Sequence, residues 1–184
     1  MPRIAILGFD DFTDLDLFLP FDLLSRVPDF EVQIVAEQET IRSHAGLEIR
    51  VHAHAQELAT ADGVFVASGP GTRALAAAED LAVRLPLNPN VQRIAAVDSG
   101  ALILAALGLL RGLEATTYPD AGLHAKLAEF GATPVERRLV AHERVATAAR
   151  CLAGVDLVRW LAGHFAPVDM VEAALTSAAA LPDV

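Results

Sequence analysis

Hydrophobic residues in this chain come in short unbroken blocks separated by polar or glycine-containing turns, not in strict alternation with polar ones. Ile4–Leu7, the run from Glu31 to Ala36, Gly63–Ala67 and Ile94–Val97 are such blocks. Runs of this length and character suit strands of a parallel sheet buried on both faces. Helical patterns lie between them. Thr13 or Asp14 caps a helix reaching about Arg26, bent or restarted at Pro20. Another covers Ala74 to Leu85 and breaks at Pro86-Leu87-Asn88-Pro89-Asn90. Ala101 to Leu110 is a third, Tyr118-Pro119-Asp120 opens a fourth that Gly131 stops, Cys151–Asp156 leads into a fifth through Trp160, and Pro167 starts a last one from Val168 to about Ala179. Shorter strand patterns fall near Ile41, Leu47–Val51, Glu114–Thr117, Val135–Val140 and Arg144–Thr147. Strands alternating with helices predict an α/β layered fold: one domain over residues 1–184, with a mostly parallel sheet covered on both faces.

The stretch from Arg93 to Leu104 organises the rest. A buried strand ends at Val97, and a helix begins at Ala101, so Asp98-Ser99-Gly100 must turn the chain in about three residues. A turn that tight pushes one side chain, Asp98, out at the carboxyl end of the strand, beside N–H groups at a helix N-terminus. Asp before Ser-Gly-Ala also reads as an ordinary helix cap. A second glycine-rich turn, Ser68-Gly69-Pro70-Gly71-Thr72-Arg73, follows the Gly63–Ala67 strand. It lacks the Gly-Lys-Ser/Thr ending of a phosphate loop and the spacing of a dinucleotide fingerprint, so no cofactor is expected.

Charge and composition narrow the partners. A net charge of −10 with no basic cluster argues against nucleic acid. Apolar runs stop at about ten residues, short of a membrane span, and the N-terminus reads as a first strand, not a signal peptide, so a cytoplasmic protein is expected. Cys151 is the one cysteine, which excludes an internal disulfide or a thiolate cluster. Five aspartates between positions 10 and 22 lack the glycine turn and final Glu of a calcium loop. His52 and His54 share a strand face without an evident third ligand, so no metal site is expected. Asp16, flanked by Leu15 and Leu17, is the acid most apt to be drawn inward.

Taken in order, "LDLFLPFDLL" near the start, the glycine-rich turn, "VDSGALILAALGLL", "ATTYPD" and "LAGVDL" resemble the ThiJ/PfpI superfamily, and within it the isonitrile hydratase branch. The resemblance covers nearly the whole chain. It implies a flavodoxin-like three-layer sandwich, a homodimer and an active site at the elbow. It places Asp98 at the position of the nucleophile, usually Cys in a Cys-Thr-Gly elbow, and Asp16 at the acidic partner beside it. Ser99, Ser68 and Gly69 fall on the segments that supply backbone donors to a developing oxyanion. Thr117, Tyr118 (where the family often has His) and Cys151 fall on the pocket wall. Two adjacent carboxylates cannot both ionise cheaply, so they would share a proton and serve as acid and base for hydration of a small apolar isonitrile. The alternative is a non-catalytic ligand-binding or regulatory module in which Asp98 imitates an oxidised cysteine. With no helix-turn-helix in the chain, a regulatory role would need a separate DNA-binding partner.

Overall fold

The computed structural model describes residues 1–178. Eleven strands run in chain order: β1 (Arg3–Leu7), β2 (Glu31–Ala36), β3 (Thr40–Arg42), β4 (Glu48–Arg50), β5 (Ala53–His54), β6 (Gly63–Val66), β7 (Arg93–Val97), β8 (Glu114–Ala115), β9 (Thr133–Pro134), β10 (Leu139–Ala141) and β11 (Val145–Ala148). Seven form one sheet in the order β10-β11-β7-β6-β1-β2-β5, parallel throughout except for β10 against β11. Two small ladders, β3 with β4 and β8 with β9, lie apart from it.

The four strands expected to be buried on both faces are central. Val64, Phe65 and Val66 in β6 and Ile94 to Val97 in β7 have no exposed surface. The helices fall into two groups by their contacts. α1 (Asp14–Ser25) packs with α6 (Gly154–Ala162) and α7 (Val168–Thr176), while α2 (Thr72–Ala76) and α5 (Ala121–Glu129) pack with α4 (Ala101–Ala106). This is the α/β sandwich anticipated, with a mostly parallel sheet. The last helix is described to Thr176; its expected end at Ala179 lies outside the described residues.

Some elements depart from expectation: the helix expected over Ala101–Leu110 ends at Ala106, and Val135–Val140 holds only the start of β10. Ala74–Leu85 is not one helix but two short ones, α2 and α3 (Leu81–Arg84), separated at Glu79-Asp80. Leu75 and Leu81 are both buried, while six residues of continuous helix would set them about 120° apart around the axis. The chain rewinds so that both reach the core.

Strand order decides what meets at the site. β11, β7, β6 and β1 are consecutive neighbours, so the segments leaving their carboxyl ends converge. These segments carry Cys151, Asp98, Ser68 and Asp16 respectively.

Candidate functional site

The elbow is a single 3-10 turn over Asp98–Gly100 between β7 and α4. Asp98 adopts φ +53, a left-handed conformation costly for a residue with a side chain. Gly100 makes the turn possible: a Cβ there would stand 2.5 Å from the Ala67 carbonyl oxygen. The Thr117 hydroxyl donates to the Asp98 carbonyl at 2.9 Å and fixes the strained residue from the other side. The Asp98 carboxylate caps no helix, contrary to the simple reading of Asp-Ser-Gly-Ala. Its Oδ1 is buried without a hydrogen-bond partner.

Asp16 reaches the same place from the first turn of α1 and is 1% exposed. Its Oδ2 accepts the hydroxyl hydrogen of Ser68, and its Oδ1 has no partner. The thiol of Cys151 lies 4.0 Å from Asp98 Oδ2, and one donor atom from each of Asp16, Asp98 and Cys151 falls within 4.8 Å of the others. Those three are within reach of a single ion or of a proton shared between the carboxylates. His52 and His54 each use Nδ1 to accept a backbone N–H, from Ile34 at 3.0 Å and Gln56 at 3.2 Å. The remaining acids of the 10–22 stretch disperse, Asp10 to the Arg42 N–H and Asp11 to His44, both at 2.8 Å.

Burial governs the electrostatics. It raises the Asp16 carboxyl, against which the Ser68 hydroxyl works. Burial, and then the charge of Asp16, raise Asp98 to about 7, against the pull of the Arg150 backbone N–H and guanidinium. The pair therefore holds a proton below about 7 and gives it up above. Burial and the two acids push the Cys151 thiol up to about 12. Iodoacetamide at pH 8 should consequently alkylate Cys151 about a thousandfold more slowly than a free thiol, in proportion to its thiolate fraction. Mass spectrometry would follow the reaction, and labelling at the free-thiol rate would contradict the assignment. Asp98→Asn should accelerate it.

The backbone donors differ from expectation. The Gly69 N–H donates to the Ser99 hydroxyl at 3.1 Å, and that oxygen lies 3.2 Å from the Gly69 carbonyl. The two turns are thus tied to each other, and the Gly69 N–H is engaged rather than open to a ligand. A side chain at position 69 would meet the Asp11 carbonyl oxygen at 2.3 Å, so the turn must be glycine to lie against the start of α1. Asp98 opens on two clefts that Tyr118, 45% exposed, also lines. One, about 290 Å³, includes Ser68, Gly69 and Ser99. The other, about 630 Å³, includes Thr117, Arg150, Cys151 and Leu152.

The family model for the DJ-1/PfpI family matches residues 2–162. The chain belongs to the DJ-1/PfpI family. Among its members, this protein is 30% identical over 172 residues to isonitrile hydratase of Pseudomonas putida, a match covering 92% of this chain and 75% of that protein. The crystal structure of a ThiJ/PfpI family protein from Pseudomonas syringae superposes with a TM-score of 0.86 at 28% identity, covering 100% of this chain and 77% of that one. DJ-1 of Schizosaccharomyces pombe, at 14% identity and TM-score 0.82, covers 97% and 100% and shares the fold. Within this family frame the elbow carries Asp98, and the chain's one thiol stands on the neighbouring segment at Cys151.

Arg150 was not legible beforehand. It takes φ +69 two residues after β11, and its position works against the rise of the Asp98 carboxyl. The available signal was a charged residue immediately before Cys151 at a strand exit, but its relevance depends on β11 lying beside β7.

Proposed function

We propose that this protein is an isonitrile hydratase-like lyase, a homodimer needing no cofactor, in which the Asp16 and Asp98 carboxylates replace a cysteine nucleophile. The observation that carries this reading is the pair of buried carboxylates within 4.8 Å of each other, each with one unpartnered oxygen, of which Asp98 lies on the wall of a cleft large enough for a small molecule and Asp16 stands behind it. The 30% identity to isonitrile hydratase supports the choice of substrate.

The protonated carboxyl gives its proton to the terminal isonitrile carbon as a C–H bond forms, leaving a nitrilium cation beside the carboxylates. The other carboxylate takes a proton from water as the water oxygen bonds to the same carbon. The pair regains its single proton, and the formimidic acid moves its hydroxyl hydrogen to nitrogen to give the formamide. One water is consumed per turnover, with no net proton. Ser68 holds Asp16 in place, and Thr117 holds the Asp98 backbone.

A second reading, a non-catalytic module with Asp98 imitating an oxidised cysteine, draws on the absence of a reactive thiol, since Cys151 stays protonated at neutral pH. A sulfinate would be fully ionised, however, and a carboxyl raised to about 7 imitates it poorly. Formamide production from an alkyl isonitrile, measured for the native protein and Asp98→Cys side by side, separates the readings. Turnover by the native protein supports the carboxylate hydratase. Turnover only by Asp98→Cys means that the pocket survives without its chemistry, and silence from both favours the binding module.

A further inference from the structure

The larger cleft contains a cation that nothing neutralises directly. Three arginines and His124 line it, with Glu136 as the one acid besides Asp98. Arg137 is paired with Glu114 at 2.8 Å, and Arg138 with Asp156. Arg150 makes no ion pair and no side-chain hydrogen bond among the described residues. It is exposed, and its guanidinium carbon lies 5.7 Å from the centre of the Tyr118 ring, close enough for a cation–π contact that orients the group.

Its backbone is held as firmly as the side chain is free. Arg150 keeps φ +69 and ψ 146, and its carbonyl accepts the Ala153 N–H at 2.9 Å. A left-handed residue without a glycine's freedom is costly, and such strain gathers where a side chain must be aimed. On the same cleft wall stand Tyr118 and Leu152, which is 65% exposed. The cleft thus combines an apolar surface, a free guanidinium and the elbow carboxyl. A protein of net charge −10 repels anions, so an anionic ligand needs a local cation of this kind.

We propose that Arg150 anchors a carboxylate on the protein's small-molecule ligand, whose apolar body lies along Tyr118 and Leu152 and whose other end meets Asp98. The inference deepens the hydratase reading by naming a substrate class, isonitriles that carry a carboxylate. It rests on that reading only for what happens to the bound molecule. Guanidinium pairs with carboxylate through two parallel N–H···O bonds, a geometry that a neutral amide cannot match.

Titration calorimetry with hexanoate and hexanamide, equal in size and different in charge, tests this without requiring turnover. The native protein should bind hexanoate about tenfold more tightly, the ratio expected of one charge-assisted pair at an open site. In Arg150→Gly, which keeps the backbone N–H and suits the positive φ, and in Arg150→Gln, the preference should fall to about one. A native protein without the preference, or variants that retain it, overturns the proposal. So does an equal loss of both affinities in both variants, which marks a purely structural residue. An Arg150-dependent preference with no turnover of any isonitrile leaves the anchor standing and removes the hydration; turnover of a neutral isonitrile without the preference does the reverse.

Discussion

Asp98→Asn and Asp16→Asn should each lower isonitrile turnover by roughly 10²–10⁴-fold, the range spanned by a lost general acid or base. One carboxyl gives the proton to carbon and the other takes one from water, so either amide removes one of the two roles. The double variant should therefore lose little more than either single one, because the effects of residues acting as a unit do not add. Steady-state kinetics on the three variants, with circular dichroism to establish that each is folded, makes the comparison. Full activity in either single variant would dispose of the two-carboxylate chemistry. For the native enzyme, activity should fall as pH rises through about 7, where the pair loses its proton. A rate that instead rises through neutrality would indicate a nucleophilic carboxylate needing no proton.

The second large effect is on stability, with the opposite sign. Asp98 titrates near 7 in the folded chain, against 3.8 for an ordinary aspartate. Between those values the folded state binds more protons than the unfolded one, so stability falls as pH rises through the window and levels off above 7. Asp16, raised mainly by burial, acts in the same direction. Asp98→Asn removes the buried charge and should stabilise the protein at pH 8 by on the order of 2–4 kcal/mol. For a chain of this size that raises Tm by roughly 5–15 °C. The gain should shrink by more than half at pH 5 and vanish below about pH 3, where Asp98 is protonated in both states. Thermal unfolding of the two proteins across this range gives the answer. A variant no more stable than native at pH 8 would mean that Asp98 is not held against its charge. If both results hold, the site gives up stability to keep two acids together, as functional sites commonly do.

The elbow could be read from the sequence because its determinants are local. A buried strand, three residues of turn and an apolar helix leave Asp98 little choice of position, and Gly100 is needed where the turn crosses the Ala67 carbonyl. Asp16 was singled out as an inward acid because it interrupts an apolar run, and it is buried. The engagement of the Gly69 N–H by Ser99 was not legible. It depends on two turns thirty residues apart settling against each other at 3.1 Å. The break between Ala76 and Leu81 is likewise not legible, since the helical pattern runs on through it and the two short helices are set by packing with the rest of the fold.

The sequence by itself determined the alternation of strands and helices, the fold class, the elbow and the aspartate at its tip, because each follows from periodicity or residue type within a short window. Only the tertiary structure decided what stands around Asp98. Asp16, Ser68, Cys151 and Arg150 are far apart along the chain and meet because β1, β6, β7 and β11 are neighbours in one sheet. Their burial together raises both carboxyls and the thiol. Charge that would be indifferent in water becomes a shared proton when strand order brings two acids into one dry place.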